Sequence, residues 1–190
     1  SSAVLKSISN PHLDITINAA GNRVSESGVP ENLQSTARQR IAVLSDLQLA
    51  ANGLYYTSPY GSTGAMPPKA NSETTYAIIL TVTNTTNKIK NAKVVVTLPP
   101  YVRWTGKYSP TSESFKANLS NSTITWDLGD IAPGVGLNGI PSRQIGFEVG
   151  FTPSTSQIGG QPSLVQAITL TGTDDATGQS VTRKVSDVTT

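Results

Sequence analysis

In the stretch Tyr76-Ala77-Ile78-Ile79-Leu80-Thr81-Val82-Thr83, every second residue from Tyr76 is large and apolar, and the residues between them are Ala, Ile, Thr and Thr. Because side chains of a strand point to opposite faces in turn, this alternation predicts a strand with one strongly apolar face. Asn84-Thr85-Thr86-Asn87 follows, and asparagine favours turns because it tolerates left-handed backbone and its amide mimics a turn. Residues 92–98 form the next predicted strand, which ends at Pro99-Pro100 because proline cannot donate to a β-ladder.

Similar short strands are predicted at intervals toward the C-terminus. They cover residues 101–104, 123–128, 143–152, 164–171 and 181–188. A long polar stretch, Gly106 to Ser122, separates the first two. About seven short strands with turn signals and no interleaved helices predict an all-β, immunoglobulin-like Greek-key β-sandwich. The large side chains that we expect to fill its core are Tyr76, Trp126, Phe147 and Phe151.

The N-terminal third is less regular. Leu13, Ile15 and Ile17 alternate with polar residues and predict a strand, and Gly21 to Pro30 is turn-like. Residues 31–51 fit two structures. A helix is favoured by the spacing of Leu33, Ala37, Ile41 and Leu44. A strand from Ile41 to Ala50 is favoured by period two and by the all-β character of the remainder. We therefore expect an N-terminal strand-bearing extension, residues 1–40, and a sandwich, residues 41–190.

The composition excludes several classes of protein. Charged residues make up 14% of the 190, against about 25% in ordinary soluble domains. Hydroxyl side chains replace them, with 24 Thr and 22 Ser. The net charge of +2 comes from scattered Lys and Arg without the basic stripe of a nucleic-acid-binding protein. There is no apolar run of the length that spans a membrane. The absence of Cys and the single His argue against a metal or cofactor site.

Catalytic groups are sparse in the sequence. His12 is the one conventional base, and no Gly-x-Ser-x-Gly turn accompanies it. No pair of carboxylates is placed as glycoside hydrolysis requires. Asp174 and Asp175, beside two threonines, offer oxygen ligands to Ca²⁺, but their spacing matches no calcium loop, and turn formation is the favoured interpretation. We expect the chain not to be an enzyme.

Two kinds of covalent modification are also considered. Asn84, Asn118 and Asn121 begin Asn-x-Ser/Thr triplets, which are acceptors for N-glycosylation only where the source performs it. Surface domains without cysteine sometimes carry a Lys–Asn isopeptide crosslink beside an acid. Glu148 is the candidate acid, although alternation with Phe147 and Phe151 directs it away from the core.

The order of these motifs resembles one family. The first half of the resemblance is Glu73-Thr74-Thr75-Tyr76, residues 82–87, Ala92-Lys93-Val94 and Leu98-Pro99-Pro100. The second half is residues 124–134, which contain Trp-Asp-Leu-Gly and Pro-Gly, and Phe147-Glu148-Val149. Together they are similar to the immunoglobulin-like conserved repeat domain of large bacterial and archaeal cell-surface proteins, over about residues 40–185. The resemblance implies an extracellular structural or adhesive module, often in tandem, with no catalytic residues.

Two hypotheses of function follow. In the first, the module assembles with copies of itself or neighbouring surface domains, and the strand of Leu13, Ile15 and Ile17 pairs with an exposed sheet edge of a neighbour. Such a contact propagates into a filament unless it closes. Pairing of this strand within its own domain is the alternative. In the second, the chain is a carbohydrate-binding or accessory module of a secreted protein. Its candidate stacking residues are Tyr55, Tyr56, Tyr60, Tyr101, Trp104 and Tyr108.

Overall fold

The computed structural model describes residues 10–24 and 30–190, and β-strands make up nearly all their regular structure. The strands are β1 (His12–Val24), β2 (Pro30–Ala42), β3 (Leu47–Leu54), β4 (Thr74–Asn84), β5 (Ile89–Thr97), β6 (Val102–Ser109), β7 (Ser114–Asn118), β8 (Thr123–Ile131), β9 (Arg143–Phe151), β10 (Ser163–Asp174), β11 (Ser180–Lys184) and β12 (Val188–Thr189). A single-turn 3-10 helix, Thr155–Gln157, follows β9. Among the described residues, none lies in a helix long and apolar enough to cross a membrane.

Ten of these strands form two antiparallel sheets. One sheet has the order β3-β4-β9-β6, and the other has the order β11-β10-β5-β8-β7, with β12 also paired to β10. The first order is that of strands A-B-E-D of an immunoglobulin domain, and β11-β10-β5 corresponds to G-F-C. The β7–β8 hairpin extends the second sheet beside β5. The predicted immunoglobulin-like sandwich is confirmed.

The core lies between the facing sides of the two sheets. Ile78 pairs with Phe147 in one sheet, and Val94 pairs with Trp126 in the other. Trp126, Phe147 and Phe151 are completely buried, and Tyr76 is nearly so. Burial raises the pKa of the Tyr76 hydroxyl to about 12, and the charge of neighbouring Tyr55 acts in the same direction. The strongest period-two signals in the sequence thus lie on the strands that fill this core.

Residues 31–51 differ from both sequence interpretations. The strand predicted over Ile41–Ala50 is wrong in its bounds, because β2 ends at Ala42 and β3 begins at Leu47. The helical interpretation is also wrong. Leu33, Ala37 and Ile41 are four residues apart, and an even spacing places side chains on the same face of a strand as well as of a helix. Five residues of the turn predicted over Gly21–Pro30, residues 25–29, lie outside the described part of the chain.

The polar stretch from Gly106 to Ser122, to which the sequence analysis assigned no strand, contains regular structure. It contains the end of β6 and the whole of β7. In β7, Phe115 is the one large apolar side chain, and it packs against Phe147 with ring centroids 5.3 Å apart. One buried residue gives too little alternation to reveal a strand of five. Similarly, the strand predicted over residues 181–188 divides into β11 and β12.

Glu148 of β9 points away from the core, as its alternation predicts, and is nevertheless buried. It lies on the outer face of its sheet, between Gly146 and Gly150, and is only 3% exposed. The glycines leave room for other side chains: a Cβ added to Gly146 would lie 3.1 Å from the Tyr60 hydroxyl, and one added to Gly150 would lie 2.5 Å from a Glu73 carboxylate oxygen. Lys107 Nζ lies 3.1 Å from Glu148 Oε2 and neutralises the covered carboxylate.

Candidate functional site

The N-terminal strands form a hairpin outside the sandwich. β1 and β2 pair antiparallel without a bulge, from His12 opposite Ala42 to Val24 opposite Pro30, and β1–β2 is a separate two-stranded sheet. The predicted N-terminal strand therefore exists, and its pairing partner lies within the same chain. The described side chains of residues 12–23 and 32–42 are all exposed. The sandwich covers neither face of this hairpin.

The two faces of the hairpin differ in polarity. Paired residues of two strands point to the same side, so Leu13 shares a face with Ile41, and Ile17 shares it with Ala37. The large side chains of this apolar face keep between 43% and 63% of their surface exposed. They are Leu13, Ile15, Ile17, Leu33 and Ile41. The structure thus brings the three residues predicted for assembly together with two that the sequence interpretation did not include.

The opposite face is polar and internally paired. Arg40 Nε donates to Asp14 Oδ1 at 2.8 Å, and Thr36 Oγ1 donates to Asn18 Oδ1 at 3.0 Å, both across the two strands. The hydrogen bond from Arg40 lowers the pKa of Asp14 and outweighs the opposing effect of desolvation. This face is suited to water, which leaves the apolar face as the one that lacks a partner.

The base of the hairpin is fixed to one end of the sandwich. Val43 N donates to Pro11 O at 2.9 Å, and Asn10 N donates to Thr86 O at 3.2 Å. Pro11 is buried. From the turn between β4 and β5, the side chain of Asn87 donates through Nδ2 to Val43 O at 2.7 Å. These bonds join both arms of the hairpin to the β4–β5 turn.

A buried polar cluster, Ser45, Asn84, Asn87 and Asp174, lies directly beneath this base, and we call it the junction. Ser45 Oγ donates to Asn84 Oδ1 at 2.7 Å and accepts bonds from two backbone N–H groups of the β4–β5 turn. Asp174 Oδ2 accepts from Ser45 N and from Asn87 Nδ2, both at 2.8 Å. The junction therefore connects the hairpin to the β4–β5 and β10–β11 turns.

Asp174 stabilises the junction as a carboxylate. Its other oxygen, Oδ1, accepts from the N–H groups of Ala176 and Thr177, both at 3.0 Å. Desolvation acts to raise the pKa of Asp174, but the bonds from Asn87, Ser45, Thr177 and Ala176 together prevail and lower it. This use of both oxygens agrees with the turn-forming interpretation of Asp174 rather than the calcium one. The described residues contain no cluster of His, Cys, Asp and Glu side chains suited to a metal ion.

The other sequence candidates are placed apart from one another. His12 is exposed, and its Nε2 lies 3.4 Å from Asp14 Oδ2, where it contributes to the polar face of the hairpin. Asn84 is inaccessible, and its amide nitrogen donates to Asn87 O and Ala132 O. Asn118 and Asn121 are exposed around the β7–β8 turn. Among the three triplets, the folded chain thus presents only these last two to solvent.

Five of the six candidate stacking aromatics are partly covered by the sandwich. Tyr56 is 83% exposed, whereas the rings of the others pack on or near the core. Tyr108, for example, stacks on Phe115 with centroids 4.9 Å apart. These six residues do not form a row of open rings on which a sugar chain would stack.

The apolar face was only half visible in the sequence. The alternation of Leu13, Ile15 and Ile17 indicated one strand, but the matching period-two positions Leu33, Ala37 and Ile41 were also consistent with a helix. Ser35 and Gln39, which lie between these positions on the same face, weaken the second alternation. The buried junction had even less signal, because it forms from polar residues that are distant in sequence.

Comparison with known proteins gives weak structural likenesses. No protein family matches the chain, and no curated protein matches its sequence. The major pilin subunit of Bacillus cereus is similar over 90% of this chain, with a TM-score of 0.44 and 8% identity. This chain covers 48% of that pilin, about half its length. A protein described as membrane-anchored from Corynebacterium diphtheriae is similar over the whole chain and 53% of its own, with a TM-score of 0.40 and 10% identity. The chitin-binding domain of a Pyrococcus furiosus chitinase is similar over 73% of this chain and 98% of its own, with a TM-score of 0.33 and 19% identity.

Proposed function

We propose that this chain is a structural module of a cell surface that associates with copies of itself through the apolar face of the β1–β2 hairpin. The observation that carries the proposal is this face, which holds five large apolar side chains on a hairpin that the sandwich leaves uncovered. The sandwich itself contributes a stable support.

An isolated two-stranded hairpin is only marginally stable in water. A third strand or a packing surface is needed before its hydrogen bonds become persistent. Burying a Leu or Ile side chain completely stabilises by about 1.5–3 kcal/mol, so covering five that are roughly half exposed would contribute on the order of 5 kcal/mol. A contact surface for this face therefore stabilises both the hairpin and the assembly.

The unit that is offered to a neighbour is a hairpin rather than a lone strand. The sequence hypothesis of strand donation is modified accordingly: β1 already has β2 as its partner, and the pair presents one apolar face. The apolar face is the better contact because its five large apolar side chains remain exposed. On the polar face, Arg40 bonds to Asp14 and Thr36 bonds to Asn18.

The test changes one face at a time. The double variant Ile15→Asp/Ile17→Asp places charge on the apolar face, and we expect it to remain monomeric where the unchanged protein associates. The matched control is Thr16→Asp/Asn18→Asp, which adds the same charge to the polar face of the same strand. Sedimentation velocity over a wide range of protein concentration measures the difference. Association that survives the first change, or that the control abolishes equally, would contradict the proposal.

A further inference from the structure

The end of the sandwich opposite the hairpin carries an apolar groove, which we call the distal groove. Its volume is about 490 Å³. One wall comes from the loop before β4 with Pro67 and Pro68, and the other comes from the β9–β10 connection, from Pro153 to Pro162. A hydrogen bond of 2.8 Å from Asn71 N to Pro153 O joins the two walls. The groove is therefore a fixed feature of the sandwich.

Strand register places the groove and the hairpin at opposite ends. β4 ends at Asn84, beneath the hairpin, and it begins at Thr74, which pairs with Phe151 in the floor of the groove. In the other sheet, Asp174 at the end of β10 belongs to the junction, whereas Ser163 at its beginning follows the groove wall. The two features are thus separated by the length of the sandwich.

The groove also has exposed apolar side chains at its rim. Ile158 is 74% exposed, and Met66, next to the groove residue Pro67, is 41% exposed. Among the described residues that line the groove, no side chain is charged; three are polar (Gln157, Gln161 and Thr190), and the others are apolar or glycine. Its chemistry therefore matches that of the apolar face of the hairpin.

We propose that the distal groove of one copy receives the apolar face of the β1–β2 hairpin of a second copy. This inference rests on the proposed function and specifies its acceptor. The hairpin of the same chain is excluded as occupant because the bonds at its base hold it at the far end. Each copy then both inserts a hairpin and receives one, and such a head-to-tail contact is heterologous and continues from copy to copy.

Pairing of two hairpins face to face is the competing arrangement, and its area is small. Thirteen residues at about 3.4 Å each and two strands about 4.8 Å apart give a face of roughly 400 Å². Stable interfaces bury about 800 Å² on each partner. Insertion at the distal groove brings the ends of two sandwiches together and adds their loops to the contact, whereas face-to-face hairpins would hold the sandwiches apart.

The test combines a donor defect with an acceptor defect. The hairpin variant Ile15→Asp/Ile17→Asp retains its groove, and the groove variant Ile158→Asp retains its hairpin. We expect each variant alone to be monomeric, and an equimolar mixture to form a one-to-one heterodimer that grows no further. Lys116→Asp is the control, because Lys116 is exposed in the middle of the edge strand β7, along the side of the sandwich rather than in the loops at either end. Sedimentation velocity with one variant fluorescently labelled reports the species.

The outcomes separate this inference from the proposed function. If the unchanged protein associates, and Ile158→Asp associates equally well, the groove is not the acceptor although self-association stands. If circular dichroism shows that each variant is folded but the mixture gives no heterodimer, the proposed head-to-tail pairing is overturned. If the unchanged protein is monomeric at every concentration, both proposals fail.

Discussion

At the scale of single residues, Asp174 is a charged side chain held entirely inside the protein. Four donors contact its two oxygens. A buried carboxylate is stable only when such donors replace the water that it has lost. The residue thereby fixes the place at which the hairpin leaves the sandwich.

Replacing this carboxylate by an amide should destabilise the fold. In Asp174→Asn, the amide nitrogen cannot accept, so that two donors lose their partner, and we expect a loss of about 3 kcal/mol of unfolding free energy. For a chain of this size that corresponds to a decrease of roughly 6–12 °C in the melting temperature. The exposed neighbour Asp175 supplies the control, since Asp175→Asn should change the melting temperature by no more than about 2 °C. Calorimetry at pH 7 measures the melting temperatures of both variants. An equal decrease in the two would show that the junction has no special role in stability.

The same carboxylate predicts a dependence of stability on pH. The pKa of Asp174 is lower in the folded protein than its ordinary value of 3.8. Its contribution is therefore fully present above that ordinary value and is lost as the pH falls through the lower folded pKa. We expect the stability difference between the unchanged protein and Asp174→Asn, measured by urea unfolding, to be constant from pH 7 to about 5 and to shrink below pH 4. A difference that persisted unchanged at pH 2 would exclude the carboxylate as its source.

At the scale of elements, the hairpin should be the least protected part of the described β-structure in a monomer. Its cross-strand hydrogen bonds have water on both faces, whereas β4 and β9 are buried in the sandwich. We expect the amides of β1 and β2 to exchange with solvent at least a hundredfold faster than those of β4 in dilute solution, and to become protected when the protein is concentrated enough to associate. Hydrogen exchange read by mass spectrometry at two concentrations measures this. Equal protection of β1 and β4 in the monomer would indicate that the hairpin is stable without a partner.

How far the sequence predicts each element depends on how many of its side chains are buried. β4 and β8 show clear alternation because every second side chain lies between the sheets. β7 escapes prediction because Phe115 is its one large buried side chain, and β2 escapes because its four-residue spacing suits a helix equally well. The distal groove leaves no local signal in the sequence. Its walls are segments that are far apart in the chain, and the pairing register of the strands brings them together.

At the scale of the whole molecule, the sandwich should fold without the hairpin. Residues 10 and 11 make few hydrogen bonds to the sandwich. A chain that begins at residue 43 keeps Val43 and Ser45 and therefore keeps their hydrogen bonds to Asn87 and Asp174. We expect a chain of residues 43–190 to keep its unfolding free energy within about 2 kcal/mol of the value for residues 1–190 and to lose self-association. Urea unfolding and sedimentation test the two parts, with the intact chain as reference. Failure of the shortened chain to fold would show that the hairpin belongs to the cooperative unit.

The position of the hairpin and the groove at opposite ends gives an assembly a direction. Every copy in a row would point the same way, so one terminus would carry a bare arm and the other an empty cleft. Growth at the two termini would then be chemically distinct. A short peptide that copies the arm would stop elongation at one of them and leave the other untouched.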